Sequence, residues 1–82
     1  MGYHKTTITR GTLGETSKIQ EELDELKDAA AQGCKILELC ELADLVGAIQ
    51  AYLVNHHPTN KLADLEQMAT LTTSAFKDGT RT

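Results

Sequence analysis

Between Cys34 and Asn55, leucine, isoleucine and valine recur so densely that a helix built there is apolar on two sides. Leu37, Leu45, Ala48 and Tyr52 share one face, and Leu39, Leu42, Val46, Ile49 and Leu53 supply another, over roughly six helical turns. A helix apolar on two sides is buried on two sides. The chain has 82 residues, near the lower end of what one core stabilises alone. The second face must therefore meet either another helix of the chain or a second subunit. With aromatics at 4% and no Trp, the core has to be built from Leu, Ile, Val and Ala, which favours packed helices over a β-sandwich.

The remaining segments arrange themselves around that helix. Residues 1–14 carry Thr6, Thr7, Thr9, Thr12, Gly11 and Gly14 without helical periodicity, which predicts an extended arm with a short β segment over 3–9. A first helix is expected over 15–32, opened by Glu15, Thr16 or Ser17. Either Ser17 with Gln20 or Thr12 with Glu15 could form its capping pair. Ile19, Leu23, Leu26 and Ala30 give it one apolar stripe, and Gln32-Gly33 stops it. The second helix, 34–55, ends at His56-His57-Pro58, because proline disfavours the helical region at the residue before it. A third is expected over 60–77, capped by Thr59 or Asn60, with Leu62, Leu65, Ala69, Thr72 and Phe76 as a narrow seam, closed by Lys77-Asp78-Gly79. These elements predict one all-α domain: an antiparallel helical hairpin plus a third helix, assembling into an oligomeric helical bundle, a dimer or a tetramer.

Two acidic clusters lie on the hairpin, Glu21-Glu22-Leu23-Asp24-Glu25 and Glu41-Leu42-Ala43-Asp44. In each, two carboxylates stand three residues apart, which puts Glu22 with Glu25, and Glu41 with Asp44, on one helix face. At about 100° per residue, Glu22 falls at the edge of the first helix's apolar stripe, with Glu25, Lys18 and Ala29 just beyond it on the same side. Glu21, Asp24 and Asp28 point the opposite way, toward solvent. Glu41 and Asp44 sit among Leu37, Leu45 and Ala48, where an unpartnered charge costs several kcal/mol or is neutralised by a shifted pKa. Four carboxylates converging between two helices call for a cation, and oxygen-only ligands favour Mg²⁺, with Mn²⁺ as a substitute.

Other residues invite plainer readings. Cys34 and Cys40 read as reduced, buried thiols. His56 and His57 read as a solvated helix end favoured by the helix dipole, and Tyr52 as core filling or a base-stacking ring. The net charge of −4, from twelve acids against eight bases, argues against a nucleic-acid partner. No apolar run approaches the roughly 18 residues of a membrane span, and the N-terminus lacks a signal-peptide core. A cytoplasmic protein is the expectation.

The pattern E-E-x-x-E followed by E-x-x-D, here Glu21, Glu22, Glu25 and then Glu41, Asp44, resembles the signature of the MazG-like all-α nucleoside triphosphate pyrophosphohydrolases. The flanks 14–20 and 41–49 and the ending 75–81 are similar to those of short phage-type and bacterial members. The resemblance implies Mg²⁺-dependent cleavage of a (deoxy)nucleoside triphosphate between the α and β phosphates, releasing monophosphate and pyrophosphate. It implies Glu22, Glu25, Glu41 and Asp44 as metal ligands and catalytic residues. Glu21 matches the first acid of the motif but, pointing away on the wheel, is expected behind the ligands or in solvent. Lys18, Lys77 and Arg81 are the candidates for phosphate binding. Lys18, one turn before Glu22, either reaches the site or only makes an i,i+4 ion pair. A non-catalytic, metal-binding helical oligomer is the alternative, since longer members carry more helix and more bases around the nucleotide.

Overall fold

The computed structural model describes residues 4–77 and 79. It contains three α-helices, α1 (Thr16–Gln32), α2 (Lys35–His56) and α3 (Leu62–Lys77), and no strand among the described residues. The β segment expected over 3–9 is absent from 4–9, and residue 3 lies outside the described residues. A single extended segment has no neighbouring strand to take its backbone groups. The arm is instead held against α1 by buried side chains.

Local chemistry sets the helix ends. A turn closed by the Glu15 N–H donating to the Thr12 carbonyl at 3.0 Å, with Gly14 at φ 93°, leads into α1. Glu15 is the residue before the first turn and makes no side-chain cap, so neither expected capping pair forms. Ser17 Oγ instead accepts the Thr12 N–H at 2.9 Å and ties the arm to the first turn. Gly33, left-handed at φ 72°, ends α1 by donating its N–H to the Ala30 carbonyl at 3.0 Å. The His57 N–H bonded to the Leu53 carbonyl at 2.7 Å closes α2 ahead of Pro58. The start of α3 lies later than Thr59 or Asn60, because Asp64 supplies the acceptor: its carboxylate takes the Lys61 N–H at 2.9 Å.

α1 packs along α2, and the most buried residues of the two are alanines, Ala29 at 0% and Ala48 at 2% exposure. Both helices bury small side chains, and polar ones, Glu21, Glu22, Asp28 and Glu41, are buried alongside them. The buried face of α1 is thus rotated from the expected stripe toward Glu22 and Ala29, leaving Leu23 and Ala30 exposed. Asn55, near the end of α2, donates to the Gly14 carbonyl at 3.2 Å and to Glu15 Oε2 at 2.7 Å. Beside it, His56 stacks on half-buried Tyr52 with ring centroids 4.4 Å apart, and its Nε2 meets Glu15 Oε1 at 3.0 Å. The expected solvated histidine pair is therefore partly a clasp between helix ends.

α3 touches α2 but not α1 and buries no residue. It leaves Leu39, Leu42 and Val46 of α2 exposed. The cysteines depart from expectation too. Cys34 precedes α2 and Cys40 lies on its outward side, and both are exposed free thiols rather than buried ones. Among the described residues, no helix is long and apolar enough to cross a membrane.

Candidate metal centre

Where α1 and α2 pack, Glu22 and Glu25 from the first helix meet Glu41 and Asp44 from the second. Each offers one carboxylate oxygen, and these atoms all lie within 4.8 Å of one another. The three-residue spacing within each helix puts each pair on one face, and the packing of α1 on α2 brings the two pairs together. Glu22 and Glu41 are buried, Glu25 is half-buried and Asp44 is exposed, so the cluster opens to solvent past Asp44.

The electrostatics are those of a site short of positive charge. Burial, followed by the adjacent Glu25 carboxylate, raises the pKa of Glu22 above the ordinary carboxylate value. Burial and then Asp44 do the same to Glu41. Lys18 Nζ reaches Glu22 Oε1 at 3.2 Å, yet Glu22 Oε2 is buried without a hydrogen-bond partner. Leaving such an oxygen bare in the folded state is unfavourable by about 1–3 kcal/mol. The donor set, all carboxylate oxygen with one buried oxygen orphaned, fits a hard divalent cation.

Two acids are buried that the wheel turns outward, Asp28 expected in solvent and Glu21 expected there or behind the ligands. Glu21 is 4% exposed and accepts the Gly11 N–H at 2.7 Å and Lys18 Nζ at 3.1 Å. The Gly11 hydrogen bond, with Lys18 behind it, holds the Glu21 carboxyl below its ordinary pKa. Asp28, 7% exposed, accepts from His4 Nδ1 at 2.9 Å, the Lys5 N–H at 3.0 Å, Thr6 Oγ1 at 3.2 Å and Gln32 Nε2 at 3.0 Å. Burial raises its pKa, but the donors, His4 foremost, outweigh burial and lower it. What covers both acids is the arm. From the arm, His4 also reaches across to α2, with Nε2 at 2.8 Å from Glu41 Oε2. Burial works against a proton on His4, yet Asp28, Glu41 and Glu25 together raise its pKa.

The candidate phosphate ligands fare differently. Lys18 is committed to Glu21 and Glu22, the ion-pair alternative, and its pKa is raised by Glu21 first. Lys77 sits exposed in the last turn of α3, a helix that does not touch α1, and the structure does not bring it to the acids. Arg81 lies outside the described residues. Lys5 takes a place beside the acids instead. It lines a cleft of about 690 Å³ that borders Glu41 and Asp44 and is bedded by Ile36, Leu37 and Cys40. Nothing in the sequence signalled Lys5, His4 or Asp28, because the arm lacks periodicity. The burial of Glu21 had a partial signal in Lys18 three residues before it.

Set against known protein families, curated proteins and solved structures, the chain matches none of them.

Proposed function

We propose that the chain is a Mg²⁺-dependent nucleotide pyrophosphohydrolase, acting on a (deoxy)nucleoside triphosphate between the α and β phosphates. One observation carries this reading: four carboxylates from two helices are gathered within 4.8 Å, with Glu22 Oε2 buried and unpartnered among them. The sequence pattern resembling MazG-like hydrolases adds the reaction. α1 and α2 are then an antiparallel hairpin whose facing sides form the centre.

Glu22, Glu25, Glu41 and Asp44 would hold the ion. Bound there, Mg²⁺ supplies positive charge to the phosphates and acidifies a water. The chain's own residues do the rest. With Glu22 Oε1 on Lys18 and Oε2 left for the ion, a neighbouring carboxylate of the cluster can accept a proton from the attacking water. The cleft's apolar bed of Ile36, Leu37 and Cys40 suits a flat nucleobase, and Lys5 in its lining suits phosphate oxygen. Asp28 accepts the Lys5 N–H and Glu21 the Gly11 N–H, so the arm that carries Lys5 is held to α1 at two points.

The reading includes a homo-oligomer. Ile36, Leu39, Val54, Met68 and Leu71 are each more than 60% exposed, and a core of Ala29, Ala48 and Leu53 is thin for a domain this small. A second copy laid over α2 and α3 would cover that surface. The commitment of Lys18 to two acids, with Lys77 away from the cluster, favours a second reading, a cation-binding module without turnover. Assaying pyrophosphate from a panel of nucleoside triphosphates with Mg²⁺ separates the two. The hydrolase reading expects stoichiometric pyrophosphate and monophosphate from at least one nucleotide, abolished by Glu22→Gln. No release from any member of the panel, with Mg²⁺ bound, leaves the module.

A further inference from the structure

The contact between His4 and Glu41 has an unusual electronic requirement. His4 Nδ1 lies 2.9 Å from Asp28 Oδ2, and an ionised carboxylate only accepts, so Nδ1 carries the hydrogen there. In the neutral ring Nε2 then bears a lone pair, and it faces Glu41 Oε2 at 2.8 Å. Two lone pairs that close need something positive between them. In the ion-free protein that is a proton; in a loaded one it is a metal ion. The side chains of His4, Asp28 and Glu41 are 9%, 5% and 5% exposed, so water does not relieve the contact. A histidine whose far nitrogen is tied to a carboxylate, fixing tautomer and ring plane, is how proteins present an imidazole to a metal. Glu25 completes the set: one ligand atom each from His4, Glu25 and Glu41 lie within 4.8 Å of one another.

We propose that His4 Nε2, Glu25 and Glu41 form a second cation site, adjoining the carboxylate one, that selects a borderline transition-metal ion such as Co²⁺ over Mg²⁺. One nitrogen among the donors accounts for that choice, since imidazole binds such ions far better than it binds Mg²⁺. Because Glu25 and Glu41 belong to both groups, the site rests on reading the cluster as a cation centre; it does not rest on hydrolysis. It also gives the arm a role: residues 4–6 are pinned to Asp28 so that a ring from the start of the chain stands over a helix-borne pair of acids.

The test uses the whole, metal-stripped chain titrated with Co²⁺ and followed by proton NMR in water. Ligation through Nε2 leaves the His4 Nδ1–H next to a paramagnetic ion. One strongly downfield, solvent-exchangeable resonance should appear with Co²⁺ and vanish in D₂O and in His4→Ala. Co²⁺ affinity should fall on the order of tenfold or more in His4→Ala and in Asp28→Asn, whereas Mg²⁺ affinity should not fall in His4→Ala. Bound Co²⁺ without the shifted resonance in the native chain overturns the site, a readout that needs no variant to fold. Unchanged Co²⁺ affinity in a folded His4→Ala does the same. If pyrophosphate release persists in either case, this site alone has failed; a shifted resonance in a chain without turnover leaves it standing.

Discussion

Glu22 is where two demands on one side chain meet. Its first oxygen pairs with Lys18, while its second is buried with no donor, beside Glu25. In the metal-free protein, Glu22→Gln should therefore stabilise the fold, because the amide can donate where the carboxylate could only repel. About 1 kcal/mol is expected, which is roughly 4–8 °C in Tm for a domain of this size. The same variant should lower turnover by on the order of 100-fold or more, and Mg²⁺ should no longer raise its Tm. Calorimetric melting with and without Mg²⁺ checks both halves. The pH dependence follows from the raised pKa values of Glu22 and Glu41. A carboxyl whose pKa is raised keeps its proton to higher pH, so an entering cation must displace it. Apparent Mg²⁺ affinity should fall as pH drops from above the ordinary carboxylate range, with protons released on binding. Titration in buffers of different ionisation enthalpy measures that release.

At the scale of elements, the arm and α1 act as one unit. Glu21 and Asp28 are buried on α1 accepting the arm's N–H and hydroxyl groups. Gly11 sits so close to α1 that a Cβ there would overlap the Ser17 carbonyl. Gly11→Ala should destabilise the protein by about 1–3 kcal/mol, measured by urea unfolding. Asp28→Ala should free the arm without unfolding the helix pair. Amide exchange at 5–11 should quicken roughly tenfold or more, while the middle of α2 keeps its protection. This is also where reading the sequence reached its limit. The three-residue spacing puts Glu22 with Glu25, and Glu41 with Asp44, on one face each, and these are the acids that come together. The wheel assigns every face away from the apolar stripe to solvent, which puts Asp28 there and Glu21 there or behind the ligands. Their cover is a segment rich in threonine and glycine with no period to read, tied down by carboxylates. The rotation of α1 toward Ala29 was illegible for a related reason: alanine carries little hydropathy, so a buried Ala29 or Ala48 does not stand out in an apolar pattern.

For the whole molecule, what α3 leaves uncovered matters most. α2 has apolar residues on two sides, as its composition required, but α1 takes one and α3 covers little of the other. Leu39 and Val46 should lie in a contact between copies of the chain. Sedimentation at micromolar concentration should give a dimer or larger species, and Leu39→Asp with Val46→Asp should shift it to monomer. A folded monomer in the unaltered chain would remove the oligomer from the account. Beneath assembly and turnover lies the claim that two helices aim four carboxylates at one ion. Calorimetric titration of Mg²⁺ into the unaltered chain and into the Glu22→Gln, Asp44→Asn double variant tests it most directly. The account predicts saturable binding to the former and loss of that heat in the latter; equal Mg²⁺ affinity in both, or none in the unaltered chain, would contradict it.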